Sequence, residues 1–520
     1  MKQQAERISR AFAGVILGCL GVALVLHALW LWCPTEDGYI SFRFARNLAE
    51  GFGFVWNPGG PPVEGFTNPS LVLFSAGVLR MGGDPTIAVP VLCLAASLLL
   101  QWLSYHLGRR AFGLKRSAAL IAPLFLAASG PVATWASSGL EANLFGLLSL
   151  GCIACWERAV RKASSTWAVV AALVGFLATS TRMEGVLIFG LLWALAWAYL
   201  GRDAEGRNKL LMSAGLFGLL LAGLTAWRWT SFGYPLPNTF YAKTGGGLEQ
   251  ARRGVVHVSW FGLLFALPLL PGFLGIWRRW PRIFGASACG LILTVYSIYI
   301  AVVGGDYMAM FRFFVPVLAP LYLLFAAAVS EGIGSSWRRN TAVAIGLMGT
   351  LVHSTPLEGR VFPRMSRNHG TWRGVELERW HVARLTAIGR MLEEVRASES
   401  ASVFTDAIGA IGYHSRLDVY GQHGLVDPVL AHRKQSASNL GSGLPGHDRR
   451  DLVYSLGLEP TWFLFNRDLS AEPGQFDASR DQRFTPAVLA IIDQHYDLRS
   501  EWIDDPINGE AGWLSFFERR

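Results

Sequence analysis

Three carboxylates in the polar segment 34–68 have the types and surroundings that general acid–base chemistry needs. Glu36 and Asp37 directly follow the first apolar run, and Glu64 lies in a stretch rich in Gly and Pro. Partial shielding from water raises the pKa of a carboxylate and makes it a good general base. The alternative is an ordinary surface or helix-terminal carboxylate. We take Asp37 as the candidate catalytic base, with Glu36 and Glu64 as substitutes for the same role.

Three basic residues in later segments are candidates for binding a phosphate. Arg182 lies between two apolar runs, where a helix N-terminus and a guanidinium would both attract an anion. Lys243 is the one lysine expected at the outer face of the membrane that the chain spans, and aromatic residues surround it in the sequence. Arg312 follows Asp306 closely enough for the two to form a simple ion pair instead. A phosphate bound by Arg182, Lys243 and Arg312 at the level of the lipid headgroups accounts for all three residues.

Further polar residues close to these segments are candidates for substrate binding. They are Arg43, Glu141, Glu184, Asn238, Asp306, Asp406 and Tyr413. Two of the glutamates also fit capping boxes, in which Ser or Thr precedes Glu by three residues at a helix start; the pairs are Ser138 with Glu141 and Thr181 with Glu184. No spacing of His, Cys and acidic residues matches a known metal site, so no metal ligand is assigned and a divalent ion is left open.

The elements that must position these residues are mostly membrane helices. Hydrophobic residues make up 52% of the 520 residues and charged residues 16%, whereas soluble proteins carry roughly 25% charged residues. This composition excludes a cytosolic enzyme, a nucleic-acid-binding protein and a disordered scaffold. A helix needs about 20 apolar residues to cross a bilayer. The runs of roughly this length predict about 11 spans, at 11–33, 86–108, 117–136, 140–157, 165–181, 185–200, 209–230, 256–276, 283–303, 313–331 and 338–354.

The distribution of basic residues predicts a cytoplasmic N-terminus. The basic clusters at 109–116, 158–162 and 202–209 all fall on the cytoplasmic side if the shorter apolar run 69–81 does not cross. We therefore predict a half-inserted helix at 69–81. With this topology the polar segments that hold the candidate site residues all lie at the outer face.

The segment that follows Asp37 has the pattern of an amphipathic helix. Ile40, Phe44 and Leu48 fall on one side, and Arg43 falls on another. Such a helix is typical of a membrane surface, with its apolar side in the lipid and its polar side in water. We predict that it lies on the bilayer.

Residues 355–520 form a separate region with no apolar run long enough to span a membrane. Hydrophobic periodicity predicts helices and strands in alternation. The predicted elements are a helix at 377–396, a strand that runs into a Gly-containing loop at 402–413, a strand at 461–465 and a helix at 486–495. The domain prediction is therefore a membrane domain at 1–354 and an extracytoplasmic α/β domain at 355–520.

These motifs resemble the GT-C superfamily of polyprenyl-phosphate-dependent glycosyltransferases. The similarity is greatest to the branch that contains terminal β-(1→2)-arabinofuranosyltransferases and related bacterial membrane proteins. The resembling segments follow the family order along almost the whole chain, at 37–43, 53–69, 137–142, 181–185, 233–244, 304–312 and 405–428.

The resemblance implies an inverting sugar transfer at the outer face of the bacterial inner membrane. The donor is a polyprenyl-phosphate sugar, and the acceptor is a cell-envelope glycan or glycolipid in polysaccharide biosynthesis. Membrane lipids are the other expected partner, and no nucleic acid is expected. The sequence leaves two alternatives, a transporter and a non-catalytic envelope assembly protein on the same scaffold. Transporters commonly place acids near the membrane midplane and show internal repeats, whereas the acids here cluster at one face.

Overall fold

The computed structural model divides the chain into two compact units, each assembled from separate stretches of sequence. We call them the helical unit, Met1–Cys33, Ile87–Thr225 and Gln250–Val375, and the mixed unit, Pro34–Thr86, Ala226–Glu249 and Glu376–Arg520. The residues that the structure describes are 2–270, 283–355, 372–396, 398, 400–433, 444–478, 483–505 and 507–520. The predicted boundary after residue 354 concerns where the chain leaves the membrane, and it stays a prediction.

In the residues that the structure describes, the helical unit consists of helices and short helical turns. Its helices, three of which extend into the mixed unit's sequence, are Lys2–Trp30, Pro85–Arg110, Arg116–Ala119, Ile121–Ala128, Gly130–Trp135, Ala142–Lys162, Ser165–Thr181, Gly185–Leu200, Ala204–Phe232, Gly247–Phe261, Phe284–Val303, Val315–Gly332 and Ser336–Val352. A π-helical turn at Gly262–Ala266 and 3-10 turns at Leu267–Leu269 and Ala309–Phe314 complete the set. The predicted run 117–136 is broken into three helices, the last of which starts at Gly130 and Pro131.

Several of these helices have the length and composition of membrane spans. Among the described residues, five qualify on both counts: Ile8–Trp30, Pro85–Arg110, Ala204–Phe232, Phe284–Val303 and Ala309–Glu331. The prediction of a multi-pass helical membrane protein is confirmed, whereas the number of 11 spans and the topology stay predictions. The final residues of the predicted run 256–276 and the basic residues Arg278, Arg279 and Arg282 lie outside the described residues.

One span forms the centre of the helical unit. In the most apolar 18-residue stretch of Ala309–Glu331, 89% of the residues are buried within the protein, whereas the corresponding share for Ile8–Trp30 is 17%. Both are strongly apolar, so the difference reflects position: a helix that is apolar on all sides packs in the interior, and one at the periphery faces lipid.

The mixed unit is built around a five-stranded sheet with the order β2-β1-β3-β5-β4. The strands are β1 (Ser402–Thr405), β2 (Asp418–Gly421), β3 (Trp462–Phe463), β4 (Tyr496–Asp505) and β5 (Glu510–Arg519). β1 is parallel to β2 and β3, and the hairpin of β4 and β5 pairs antiparallel with β3. The helices are Glu36–Ala49, Pro69–Arg80, Asn238–Lys243, Trp372–Val395, Gly409–Ser415, Pro428–His432, Leu452–Leu456 and Pro486–His495. The mixture of helix and strand predicted for the C-terminal region is therefore present.

The helix Glu36–Ala49 exists as predicted, but its polar side does not face water. Arg43 is 1% exposed, and its guanidinium donates to the carbonyls of Trp56, Gly412 and Leu417. Buried guanidinium groups need such acceptors. The prediction of a helix with its polar side in water on the bilayer is wrong, because this side is packed inside the mixed unit.

Candidate active site

Glu36 and Asp37 form the first turn of the helix Glu36–Ala49, where the helix dipole favours negative charge. The carboxylate of Glu36 accepts a hydrogen bond from the backbone amide of Gly409, and its own backbone amide donates to Glu378 Oε1 over 3.2 Å. A Cβ at Gly409 would lie 2.2 Å from the carbonyl oxygen of Glu36. The glycine therefore allows the helices Glu36–Ala49 and Gly409–Ser415 to meet here, and the hydrogen bond between Glu36 and Gly409 helps to join them.

The protonation of Glu36 differs from that of an ordinary carboxylate. Burial raises the pKa of Glu36 to about 8, and the charge of Asp37 adds to this rise. Near neutral pH most Glu36 side chains therefore carry a proton, and a protonated carboxyl group cannot act as a general base. Of the two neighbours, Asp37 is the better candidate for that role.

Glu64, the third candidate base, is part of a buried ion pair. It is 1% exposed, and Nε of Arg228 lies 3.0 and 2.9 Å from its two carboxylate oxygens. Burial raises the pKa of Glu64 to about 7, against the opposing effect of Arg228. The carbonyl of Glu64 also accepts from the amide of Asn238 over 3.0 Å. These contacts give Glu64 a structural role.

Asp37 lies among ionisable groups that other parts of the mixed unit contribute. Burial lowers the pKa of His381 to about 4, and the charges of Asp406 and Asp37 oppose that fall. Burial likewise lowers the pKa of His447, and the charge of Asp37 again opposes that fall. Both imidazoles are therefore neutral near pH 7. Arg467 lies 3.4 Å from Asp406 and 3.4 Å from Nε2 of His381, so the surroundings of Asp37 combine acids, a guanidinium and uncharged imidazoles.

The segment that contains Lys243 is held tightly within the mixed unit. Asn238 donates from its side chain to the carbonyls of Gly424 and Leu425, over 2.8 and 2.9 Å. The side chain of Lys243 is exposed at the end of the same short helix. Asn238 thus positions the segment, and its predicted contact with substrate stays untested. Lys243 has the exposure that a phosphate-binding residue needs.

Arg182 forms two buried ion pairs in the helical unit. Its guanidinium lies 2.9 Å from Glu141 and 2.9 Å from Glu184. The capping boxes predicted for these glutamates are wrong: Thr181 ends a helix, and each glutamate immediately precedes a helix without making a side-chain cap. Both carboxylates bind Arg182 instead, which explains the arginine and the acids together.

Arg312 and Asp306 form the ion pair that the sequence left as an alternative. The guanidinium contacts both carboxylate oxygens, at 2.8 and 3.1 Å. Although burial opposes ionisation, the charge of Arg312 lowers the pKa of Asp306. The guanidinium carbons of Arg182 and Arg312 each lie 5.1 Å from the centre of the Phe313 ring. The structure thus brings these two arginines together around one aromatic side chain.

The charges around Phe313 do not by themselves favour an anion. Three carboxylates, Glu141, Glu184 and Asp306, face the two guanidinium groups. A phosphate would have to replace part of these contacts. The predicted phosphate-binding role of the two arginines stays untested.

The remaining predicted substrate contacts lie in the mixed unit. Tyr413 packs its ring against Tyr39 and lies under the guanidinium of Arg46, 4.9 Å from the ring centre. Asp406 pairs with Arg467, and Arg43 is buried as described. In the described part of the chain, no group of three or more His, Cys, Asp or Glu side chains is arranged to hold a metal ion.

Sequence reasoning missed several residues of this region. The tertiary fold alone brings Arg467 to Asp406 and Arg449 to the segment around Lys243. It also exposes His381 and His447 to the charges of Asp37 and Asp406. Each lies far along the chain from the first polar segment, so no spacing indicates it. The cluster of charged residues at 447–451, HDRRD, is the one local signal.

Comparisons with known proteins support the fold. A family described as a domain of unknown function (DUF8728) matches residues 373–517, and no curated protein matches the chain. ArnT from Cupriavidus metallidurans in the apo state is similar with a TM-score of 0.57 and 15% identity, over 81% of this chain and 88% of that one. The same protein bound to undecaprenyl phosphate gives 0.53 and 14%, over 80% and 87%. The chain has the GT-C fold. The more specific resemblance to the arabinofuranosyltransferase branch stays a prediction.

Proposed function

We propose that the protein transfers a sugar from a polyprenyl-phosphate donor to a hydroxyl group of a cell-envelope glycan or glycolipid, at the outer face of the inner membrane. The GT-C fold supports this proposal, since a solved neighbour of that fold, ArnT, is bound to undecaprenyl phosphate. Two of the motifs that resemble the superfamily contain Asp37 and Lys243.

The observation that carries the proposal is the division of roles among the three carboxylates of the first polar segment. Glu36 holds a proton near neutral pH and bonds to Gly409, and Glu64 is paired with buried Arg228. Asp37 is partly exposed in the first turn of the helix Glu36–Ala49. A base needs access to its substrate and a side chain that is not committed to other contacts. The contacts and raised pKa values of Glu36 and Glu64 argue against both of them, so we assign the role to Asp37.

In the proposed reaction, Asp37 accepts the proton of the acceptor hydroxyl group. The hydroxyl oxygen attacks the anomeric carbon from the side opposite the phosphate and forms the new glycosidic bond. The bond from the anomeric carbon to the phosphate oxygen breaks, and its electron pair leaves on the phosphate, so the configuration inverts. Because the phosphate departs as an anion, a cation such as Lys243 stabilises it and no general acid is required.

Lys243 is the first candidate for binding that phosphate. Its ammonium is a compact point charge on an exposed side chain. Arg182 and Arg312 are paired with carboxylates in the helical unit, so this proposal assigns the phosphate to Lys243. Donor binding should therefore depend on Lys243.

Mass spectrometry of a strain that lacks the gene tests the proposed function. We expect the strain to accumulate a polyprenyl-phosphate sugar and to lose one sugar residue from an envelope glycan or glycolipid. A plasmid with the wild-type gene should reverse both changes, and the Asp37→Asn gene should reverse neither. An unchanged set of envelope glycans and lipid-linked sugars would contradict the proposal.

A further inference from the structure

We infer that the loop 444–449 of the mixed unit positions Lys243 for the donor phosphate, and that Arg449 is the positioning residue. The inference rests on the proposed function, because it takes Lys243 as the phosphate-binding cation. Two separate contacts of this loop, made by Arg449 and Gly446, carry it.

Arg449 holds the backbone on both sides of Lys243. The arginine is 9% exposed, and its guanidinium donates to the carbonyl of Ala242 over 3.1 Å and to that of Thr244 over 3.3 Å. It also donates to the carbonyl of Arg433 over 2.7 Å. A planar guanidinium presents its donors in a fixed arrangement, so one side chain restrains the carbonyl groups of the residues before and after the lysine.

Gly446 provides a surface for the methylene groups of Lys243. Its φ is +81°, in the region that favours glycine, and an added Cβ would lie 3.1 Å from Cε and 3.3 Å from Cδ of the lysine. The stem of Lys243 therefore lies directly against the loop. Any side chain at residue 446 would crowd the stem and also strain the backbone.

His447 is fixed within the same loop by a contact to the backbone. Nδ1 of His447 lies 3.1 Å from the carbonyl oxygen of Pro445. A carbonyl can only accept, so the neutral ring carries its proton on Nδ1. The charges of Asp37 and Lys243 both act on this imidazole, in opposite directions. The loop therefore contacts the stem of the lysine and also binds the backbone beside it.

These contacts predict an effect on donor binding rather than on the chemical step. A lysine side chain has many rotamers, and restraining them before the phosphate arrives reduces the entropy lost on binding. Loss of the restraint should weaken binding of the donor while the saturated rate changes little. A purely structural role of Arg449 would instead lower stability without a specific effect on donor affinity.

A double-mutant cycle tests the inference on the purified full-length protein, with a short-chain polyprenyl phosphate as the probe. We expect Arg449→Met and Gly446→Ala each to raise the Kd by about fivefold or more, and Lys243→Ala to raise it by about tenfold or more. The double variant Lys243→Ala/Arg449→Met should bind no more weakly than Lys243→Ala, because coupled residues are not additive. Arg433→Met is the matched control, since its exposed side chain pairs with Asp451 at the surface, and it should bind like wild type.

The outcomes separate this inference from the proposed function. If Lys243→Ala weakens binding and Arg449→Met and Gly446→Ala do not, the inference is wrong and the proposed function stands. Additive effects in the double variant would also overturn it, because Arg449 would then act independently of Lys243. A wild-type protein that binds no polyprenyl phosphate would overturn the proposed function itself. If Arg449→Met does not fold, Gly446→Ala decides the question by the same measurement.

Discussion

Glu36 and Asp37 are neighbours in the sequence, but their carboxyl groups have different surroundings. Glu36 bonds to the amide of Gly409 and has its pKa raised to about 8 by burial and by Asp37. The sequence indicates that both are candidate bases at the end of the first apolar run. It could not separate them, because Gly409 and Glu378, which contact Glu36, come from the distant C-terminal region.

The raised pKa of Glu36 predicts a pH dependence of stability. The folded protein keeps a proton on Glu36 up to about pH 8, whereas the ordinary value is 4.5. The contribution of this proton to stability is therefore complete below about pH 4.5 and is lost as the pH rises to 8. Glu36→Gln, which cannot titrate, should remove this loss.

Melting temperatures measured between about pH 5 and pH 8.5 in one detergent check this prediction. The difference between wild type and Glu36→Gln isolates the carboxyl group from histidines that titrate in the same range. Glu472→Gln, at an exposed residue of the same unit, should keep the wild-type dependence of melting temperature on pH. If Glu36→Gln shows the same dependence of melting temperature on pH as wild type, the pKa of Glu36 is not raised and the prediction is wrong.

At the scale of elements, the mixed unit depends on close contacts between helices that are distant in the sequence. Hydrophobic spacing predicts the helices Glu36–Ala49, Trp372–Val395 and Pro486–His495 well, because each buries one apolar side. It could not predict that Arg43 is buried, since two of its acceptors belong to residues 412 and 417. β2, β4 and β5 were not predicted. In β4 most residues are exposed or half-buried and their burial does not alternate regularly, so its pattern does not indicate a strand.

Gly409 tests the contact between the helices Glu36–Ala49 and Gly409–Ser415. A Cβ there would overlap the carbonyl oxygen of Glu36 at 2.2 Å, so Gly409→Ala must push the helices apart. We expect a loss of about 1–3 kcal/mol in the free energy of unfolding, as for other overpacked sites.

Chemical unfolding of purified variants measures this loss. Gly77→Ala is a suitable control, because Gly77 lies in the helix Pro69–Arg80 of the same unit and no atom lies within 4 Å of an added Cβ. Its stability should equal or slightly exceed that of wild type, since Ala favours helix over Gly. Equal stability of both variants would mean that the helices are not in close contact.

At the scale of the whole molecule, composition and apolar runs predict a multi-pass helical membrane protein, and the similarity to ArnT at 15% identity confirms the GT-C fold. A fold is preserved at this identity because many different apolar residues satisfy the same packing. The prediction of which loops are cytoplasmic and which are extracytoplasmic rests on the distribution of basic residues alone.

Cysteine labelling of a cysteine-free protein tests the predicted sidedness. Ala204→Cys, beside the basic residues Arg202 and Arg207, should react only from the cytoplasmic side. Ala471→Cys, an exposed residue of the mixed unit, should react only from outside. Reaction of Ala471→Cys from the cytoplasm would place the proposed site on the wrong face and contradict the topology.

The most direct test of the central claim compares sugar transfer and donor binding in Asp37→Asn. The amide keeps the shape of the side chain but cannot accept the proton of the acceptor, and a general base contributes about 100- to 10,000-fold to rate. We predict that transfer from the polyprenyl-phosphate sugar falls at least about 100-fold, while the Kd for polyprenyl phosphate stays within about twofold of wild type. Transfer within about threefold of wild type would show that Asp37 is not the base and would contradict the account.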